Sequence, residues 1–102
     1  MSEIDLLMQE IRKFADLRNW GQFHTPKNLA MALAGEAGEL VAEFQWLTPE
    51  ESTLTGMTDS KLSDVSLEMA DVAIYLIRLA DILEIDLASA VRQKLAINET
   101  RF

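Results

Sequence analysis

Two acidic pairs carry the most chemistry in this chain: Glu36 with Glu39, and Glu68 with Asp71, each three residues apart inside an otherwise apolar, helix-forming run. On a helix, positions three apart share a face with Cβ atoms roughly 5–6 Å apart, so each pair forms a carboxylate pincer. Two pincers on adjacent helices make one pocket of four carboxylates. Like charges gathered on a partly buried surface repel, and a fold keeps them only where a cation or shared protons relieve the repulsion. Oxygen-only ligands favour a hard divalent ion, with Mg²⁺ ahead of Mn²⁺ and Ca²⁺. Glu43, four residues after Glu39, lies within geometric reach as a further metal or water ligand. The chain has no cysteine and a single histidine, His24, and no Ser-His-Asp set offers a covalent route.

The acids require helices to position them. Ile4, Leu7, Met8, Ile11, Phe14, Ala15 and Leu17 recur at helical spacing and predict a first helix from about Glu3 to Arg18, closed by Asn19 or Gly21 in a left-handed cap. Trp20, Phe23 and His24 fall in a short linker; by residue type alone they read as an apolar plug over the bundle end, with His24 facing solvent or capping. Thr25 and Pro26 open a second helix reaching about Gln45. Its apolar face is Leu29, Ala30, Leu33, Ala37, Leu40, Val41 and Phe44, with Glu36, Glu39 and Glu43 along the edge. Gly35 and Gly38 flank Glu36 at a cost of roughly 1 kcal/mol each, which implies close approach of a helix or of phosphate.

Thr48 to Glu51 reads as a capping box opening a short turn, and residues 52 to 60 as a loop suited to a mobile lid. A third helix, about Lys61 to Leu83, sets Asp64, Glu68, Asp71, Tyr75 and Arg78 on one stripe and apolar residues nearly everywhere else. Such a helix must be covered on several sides, which so short a chain cannot do alone, and an oligomer is expected. Asp86 caps a fourth helix that turns Leu87, Ala90, Val91, Leu95 and Ile97 inward and aligns Lys94, Asn98 and Arg101 on another face, by residue type alone a solvated one.

Composition bounds the answer. One compact all-α domain over residues 1–102 is expected from a 49% hydrophobic chain with four glycines and two prolines, and the absence of cysteine points to an intracellular, cytoplasmic setting. Acids near the N-terminus, where a signal peptide carries bases, predict no export. The apolar stretch from 69 to 83 is too short and too interrupted by Asp71, Arg78 and Asp81 to span a membrane. A net charge of −8 argues against binding a nucleic-acid duplex, though not against a nucleotide whose phosphates meet a bound metal.

The acidic spacing resembles the ExxE…ExxD signature of the MazG-like all-α nucleoside triphosphate pyrophosphohydrolases. The likeness extends through Arg18-Asn19-Trp20-Gly21-Gln22-Phe23-His24, Gly35 to Leu40, Phe44-Gln45-Trp46, Glu68 to Leu76, and Lys94…Asn98…Arg101, covering most of the chain in the family's order. It is strongest to the dCTP pyrophosphatase subgroup, which has similar RxWxQFH and FQW segments. The resemblance implies a four-helix fold assembling as a homodimer or homotetramer, and Mg²⁺, with Mn²⁺ as substitute, held by Glu36, Glu39, Glu68 and Asp71 as the catalytic centre. It implies phosphate contacts from Lys94, Asn98 and Arg101, a base and sugar pocket of Trp20, Trp46 and Tyr75, and cleavage of a deoxynucleotide such as dCTP to monophosphate and pyrophosphate. Two departures stand out. Ala42 occupies a position where the family more often has an acid, and Ile11 stands where the dCTP pyrophosphatases have a histidine, which implies looser selection for cytosine.

Two other readings compete. A ferritin-like di-iron bundle also gathers carboxylates, but it needs two Glu-x-x-His motifs and the chain has one histidine, in a linker. A non-catalytic helical dimerisation module explains the apolar third helix but leaves the four acids and the Lys94 stripe without a purpose. A family member with a different or broad nucleotide substrate is the remaining alternative.

Overall fold

The helix starts are set by local side chains. The Ser2 hydroxyl accepts the Asp5 backbone N–H at 3.2 Å while the Asp5 carboxylate accepts the Ser2 N–H at 3.2 Å, a reciprocal box that satisfies two open donors. In the computed structural model, which describes residues 1–102, the helix it opens is α1, Glu3–Leu17. Asn19 ends it by entering the left-handed region at φ 56°, which asparagine tolerates better than most residues, and Trp20–Gln22 then form one 3₁₀ turn. Thr25 accepts the Asn28 N–H at 3.2 Å and starts α2, Pro26–Phe44. Thr58 does the same for Lys61 at 3.1 Å and starts α3, Asp59–Ile82; Asp86 caps Ser89 at 3.1 Å and starts α4, Leu87–Arg101.

The observed helices are the four expected, with ends moved by one or two residues. The start of α3 lies two residues earlier than the apolar periodicity implies, because Thr58, a polar cap, decides it. The box at Thr48 and Glu51 forms, at 2.8 and 3.2 Å, and opens a series of turns. Residues 52 to 58 carry no helix or strand, the loop that composition suggests. Ser52, Thr53, Gly56 and Met57 all bond back within the segment, and a Cβ on Gly56 would run into the Glu50 carbonyl oxygen.

Helices α2 and α3 lie against each other over the longest interface, α1 packs on α3, and α4 has no extended packing on any of them. The core is correspondingly thin: Ala15, Leu29, Val65, Ile77 and Ala80 are buried, together with one charged residue, Arg78. Val91, Leu95 and Ile97 of α4, expected to face inward, are instead about half exposed within the chain. Val41 of α2 and Leu67 and Met69 of α3 are also more than half exposed. Each large apolar side chain left in water forgoes roughly 1.5–3 kcal/mol, so the sequence carries much more apolar surface than one chain covers. No helix is long and apolar enough to cross a membrane.

Candidate active site

Side-by-side packing of α2 and α3 brings the two acidic pairs together. One carboxylate oxygen from each of Glu36, Glu39, Glu68 and Asp71 lies within 4.8 Å of the others. None of the four is paired with a lysine or arginine. Oε2 of Glu36 and Oε2 of Glu68 are buried with no hydrogen-bond donor in reach. Burial pushes the Glu36 carboxyl above its ordinary range, and the neighbouring carboxylate of Glu39 adds to the effect ahead of Asp71 and Glu68. Burial likewise raises Glu68, followed by the charges of Glu39 and Asp71. Acceptor-only groups that repel one another and lack donors fit a divalent cation, which supplies the missing positive charge to all of them at once.

The surroundings leave this cluster open. A Cβ added at Gly35 or Gly38 would meet nothing within 4 Å, so close packing inside the chain does not account for the two helix-weakening glycines beside Glu36. The larger cavities, about 480 Å³ at Asp16, Asn19, Gly21 and Gln22 and about 340 Å³ between the start of α1 and the start of α4, do not include any of the four acids. Glu43 accepts from Lys61 Nζ at 3.0 Å and stands outside the four-oxygen group, although its charge contributes to the raised Glu68.

The remaining candidates are distributed around the cluster. Trp20 sits on the 3₁₀ turn in a T-shaped contact with Phe14, ring centroids 5.5 Å apart, and the Arg18 guanidinium covers the Phe14 ring at 3.5 Å. Tyr75 is half-buried on α3, one turn beyond Asp71, whereas Trp46, just past α2, is 87% exposed. On α4, Lys94 and Arg101 are exposed and Asn98 is half-buried with its Oδ1 buried and unpartnered. The acids therefore meet within one chain, while Trp46 and the Lys94 and Arg101 side chains of the α4 stripe are exposed on it.

His24 is held more firmly than the solvent-facing or capping role suggested by its linker position requires. It is half-buried, and its Nδ1 accepts from Nε of Arg78 at 3.1 Å. Arg78 also donates to Asp81 at 3.3 Å, and Arg12 grips the same carboxylate with two bonds of 2.6 and 2.8 Å. The hydrogen bond from Arg12 holds the Asp81 carboxyl below its ordinary range. Burial lowers the His24 pKa, and the Arg78 charge lowers it further. The helical stripe marks Arg78, and the spacing puts Asp81 three residues later, but only the fold delivers Arg12 and His24 to them.

No protein-family model matches the chain. In alignments that span 99 positions and cover 93% of this chain, it is 41% identical to dCTP pyrophosphatase 1 of Homo sapiens and 38% identical to the protein of the same name in Mus musculus. The chain spans 58% of each of these mammalian relatives. Its fold superimposes on the crystal structure of a pyrophosphatase from Archaeoglobus fulgidus with a TM-score of 0.89 at 35% identity, covering 100% of this chain and 94% of that one. Likeness of sequence and fold along nearly the whole of that archaeal protein, together with the spacing of the four acids, makes this chain a member of the all-α, MazG-like pyrophosphohydrolase family.

Proposed function

We propose that the protein is a Mg²⁺-dependent nucleoside triphosphate pyrophosphohydrolase that converts dCTP to dCMP and pyrophosphate, with Mn²⁺ able to substitute. The observation that carries this reading is the cluster of four unpaired acids containing two buried carboxylate oxygens without donors. The names of the mammalian and archaeal relatives support the substrate and the bond. Glu36, Glu39, Glu68 and Asp71 would hold the metal. When bound there, a divalent cation supplies charge compensation to phosphate oxygens and lowers the pKa of an attacking water.

The chain's own residues divide the rest of the work. One of the four carboxylates takes the proton released by the water. Lys94 contributes a point charge, Asn98 a neutral donor and Arg101 a planar fork to the outer phosphates, which leaves the α-phosphorus facing the acids and makes pyrophosphate a charge-compensated leaving group. Trp20, Trp46 and Tyr75 contact base and sugar, with stacking worth roughly 1–3 kcal/mol per aromatic face. Ile11 lacks the polar contact that a histidine would give, so discrimination among bases is loose. The working form is a homodimer or homotetramer of this one domain, whose second copy covers exposed apolar residues such as Val41 and Leu67.

A panel of nucleotides incubated with Mg²⁺, with products separated chromatographically, tests the substrate. In ¹⁸O-labelled water the label should enter the monophosphate. Label in pyrophosphate or in free phosphate would mean that attack falls elsewhere. Light scattering that gave a monodisperse monomer of 11.5 kDa would contradict the assembly.

A further inference from the structure

Arg78 is the one charged residue in the buried core, and the reaction proposed above gives it no task. Its side chain is 5% exposed, so its donors must find acceptors inside the protein. Asp81 is one, at 3.3 Å, but that carboxylate is already held by Arg12 through two shorter bonds. The other is His24 Nδ1 at 3.1 Å, a neutral acceptor from a different part of the chain. An Nδ1 that accepts carries no proton, so the proton of the neutral ring is on Nε2.

His24 is tied to the candidate base contact at both ends. Its backbone N–H bonds the Trp20 carbonyl at 3.1 Å and the Gly21 carbonyl at 3.3 Å, closing the 3₁₀ turn, and its ring stands 6.0 Å from the Trp20 ring. Phe14 on α1 packs against the Trp20 ring, and the Asn28 side chain donates to the Phe23 carbonyl at 3.0 Å from the start of α2, while His24 ties the turn to α3 through Arg78. Arg78 lies seven residues, or about two turns, beyond Asp71 on the same helix. One rigid element thus carries two of the acids and an anchor of the aromatic turn.

We propose that Arg78 is a positioning residue for substrate binding: by holding His24 as its Nε2–H tautomer, it fixes the turn that presents Trp20 relative to the acids on α3. The inference rests on the reading of Trp20 as a base contact. Its value lies in geometry, because stacking strengthens binding only if the aromatic is already in place when the phosphates reach the metal site.

The single histidine makes the test direct. In the ¹⁵N-labelled protein at neutral pH, NMR should find an unprotonated Nδ1 and a protonated Nε2. Arg78→Met should release the tautomer preference and raise KM about fivefold with kcat within about twofold, a shift of the size that coupled neighbours produce. His24→Leu should do the same. The double variant should be no worse than the worse single one, and His24→Asn, whose Oδ1 can stand in for Nδ1, should raise KM less than His24→Leu. A protonated Nδ1 in the wild type would overturn the inference. So would an unchanged KM in Arg78→Met beside a raised KM in Trp20→Ala, or additive effects in the double variant. An unchanged KM in Trp20→Ala would remove the base-contact reading itself, and the inference with it, while the tautomer result stood separately. If Arg78→Met fails to fold, the His24 variants and the wild-type tautomer decide.

Discussion

Helix α3 carries two charge clusters about two turns apart, and the chain treats them in opposite ways. Around Arg78 and Asp81 every charge meets a partner from another element: Arg12 comes from α1 and His24 from the linker. Around Glu68 and Asp71 four acids of one sign meet no cation of the chain, and two of their oxygens have no donor. The first cluster is closed, and its geometry is complete without anything added. The second is electrostatically unfinished, which destabilises the metal-free fold and leaves capacity for a cation. Burial of charge is therefore not by itself the mark of a functional site; what distinguishes the two is whether the chain satisfies what it buries.

Removing a charge should have opposite consequences in the two clusters, and this gives the largest effect expected. Glu39→Gln and Asp71→Asn should lower turnover more than about 100-fold, since each removes a proposed first ligand of the metal, while melting in EDTA stays the same or rises as repulsion is relieved. Near-wild-type turnover in both would remove the acids from the reaction. Asp81→Asn should do the reverse. It leaves Arg78 buried beside a neutral group and should cost about 3 kcal/mol in denaturant unfolding, with metal affinity by calorimetry little changed. An Asp81→Asn protein as stable as wild type would mean that the closed cluster contributes nothing to the fold.

Metal and pH sharpen the same contrast. If Mg²⁺ binds only the native form, a concentration of 100 times Kd should add about 2.7 kcal/mol, visible as a higher Tm in Mg²⁺ than in EDTA. Identical curves and no binding heat would favour the dimerisation-module reading. Glu36 and Glu68 are held above the ordinary carboxyl value of 4.5, so their contribution to the metal-free fold is full below that value and is lost as pH rises through the raised ones. Asp81 is held below the ordinary 3.8, so its contribution is full above that value and is lost as pH falls through the lowered one. In EDTA, Glu36→Gln should flatten the loss of Tm on the alkaline side of 4.5 and Asp81→Asn the loss on the acid side of 3.8. An unaltered pH profile in either variant would contradict the corresponding assignment.

The smallest effect is expected at Glu43, which lies between the two types. It is near the acids but already has Lys61, both partners partly exposed. Glu43→Gln should change stability by about 0.5 kcal/mol and metal affinity by less than the four acids do. A loss of metal binding equal to that of Glu39→Gln would instead make Glu43 a fifth ligand.

Much of the fold is legible because it is local. Ser2, Thr25, Thr58 and Asp86 each accept a backbone N–H three residues on, and apolar recurrence fixes what lies between the caps, so four helices follow from short-range chemistry. The acid cluster is legible for the same reason: spacing puts each pair on one face, and two amphipathic helices joined in one chain tend to pack side by side. The segment from 52 to 57 is the loop its composition marks; what composition does not give is the pattern of Ser and Thr hydroxyl bonds that shapes its turns.

The sequence by itself determined the helices, their caps and the two pincers, because those depend on neighbours within about four residues. Only the tertiary structure decided which charges are answered. Arg12 is separated from Asp81 by 69 positions and His24 from Arg78 by 54, and no periodicity within a helix encodes such a meeting. It likewise decided that Glu43 goes to Lys61, and that Val91, Leu95 and Ile97 stay at the surface of a single chain despite their apolar character. Pairing over long separations is set by how helix faces dock, and docking is a property of the whole core.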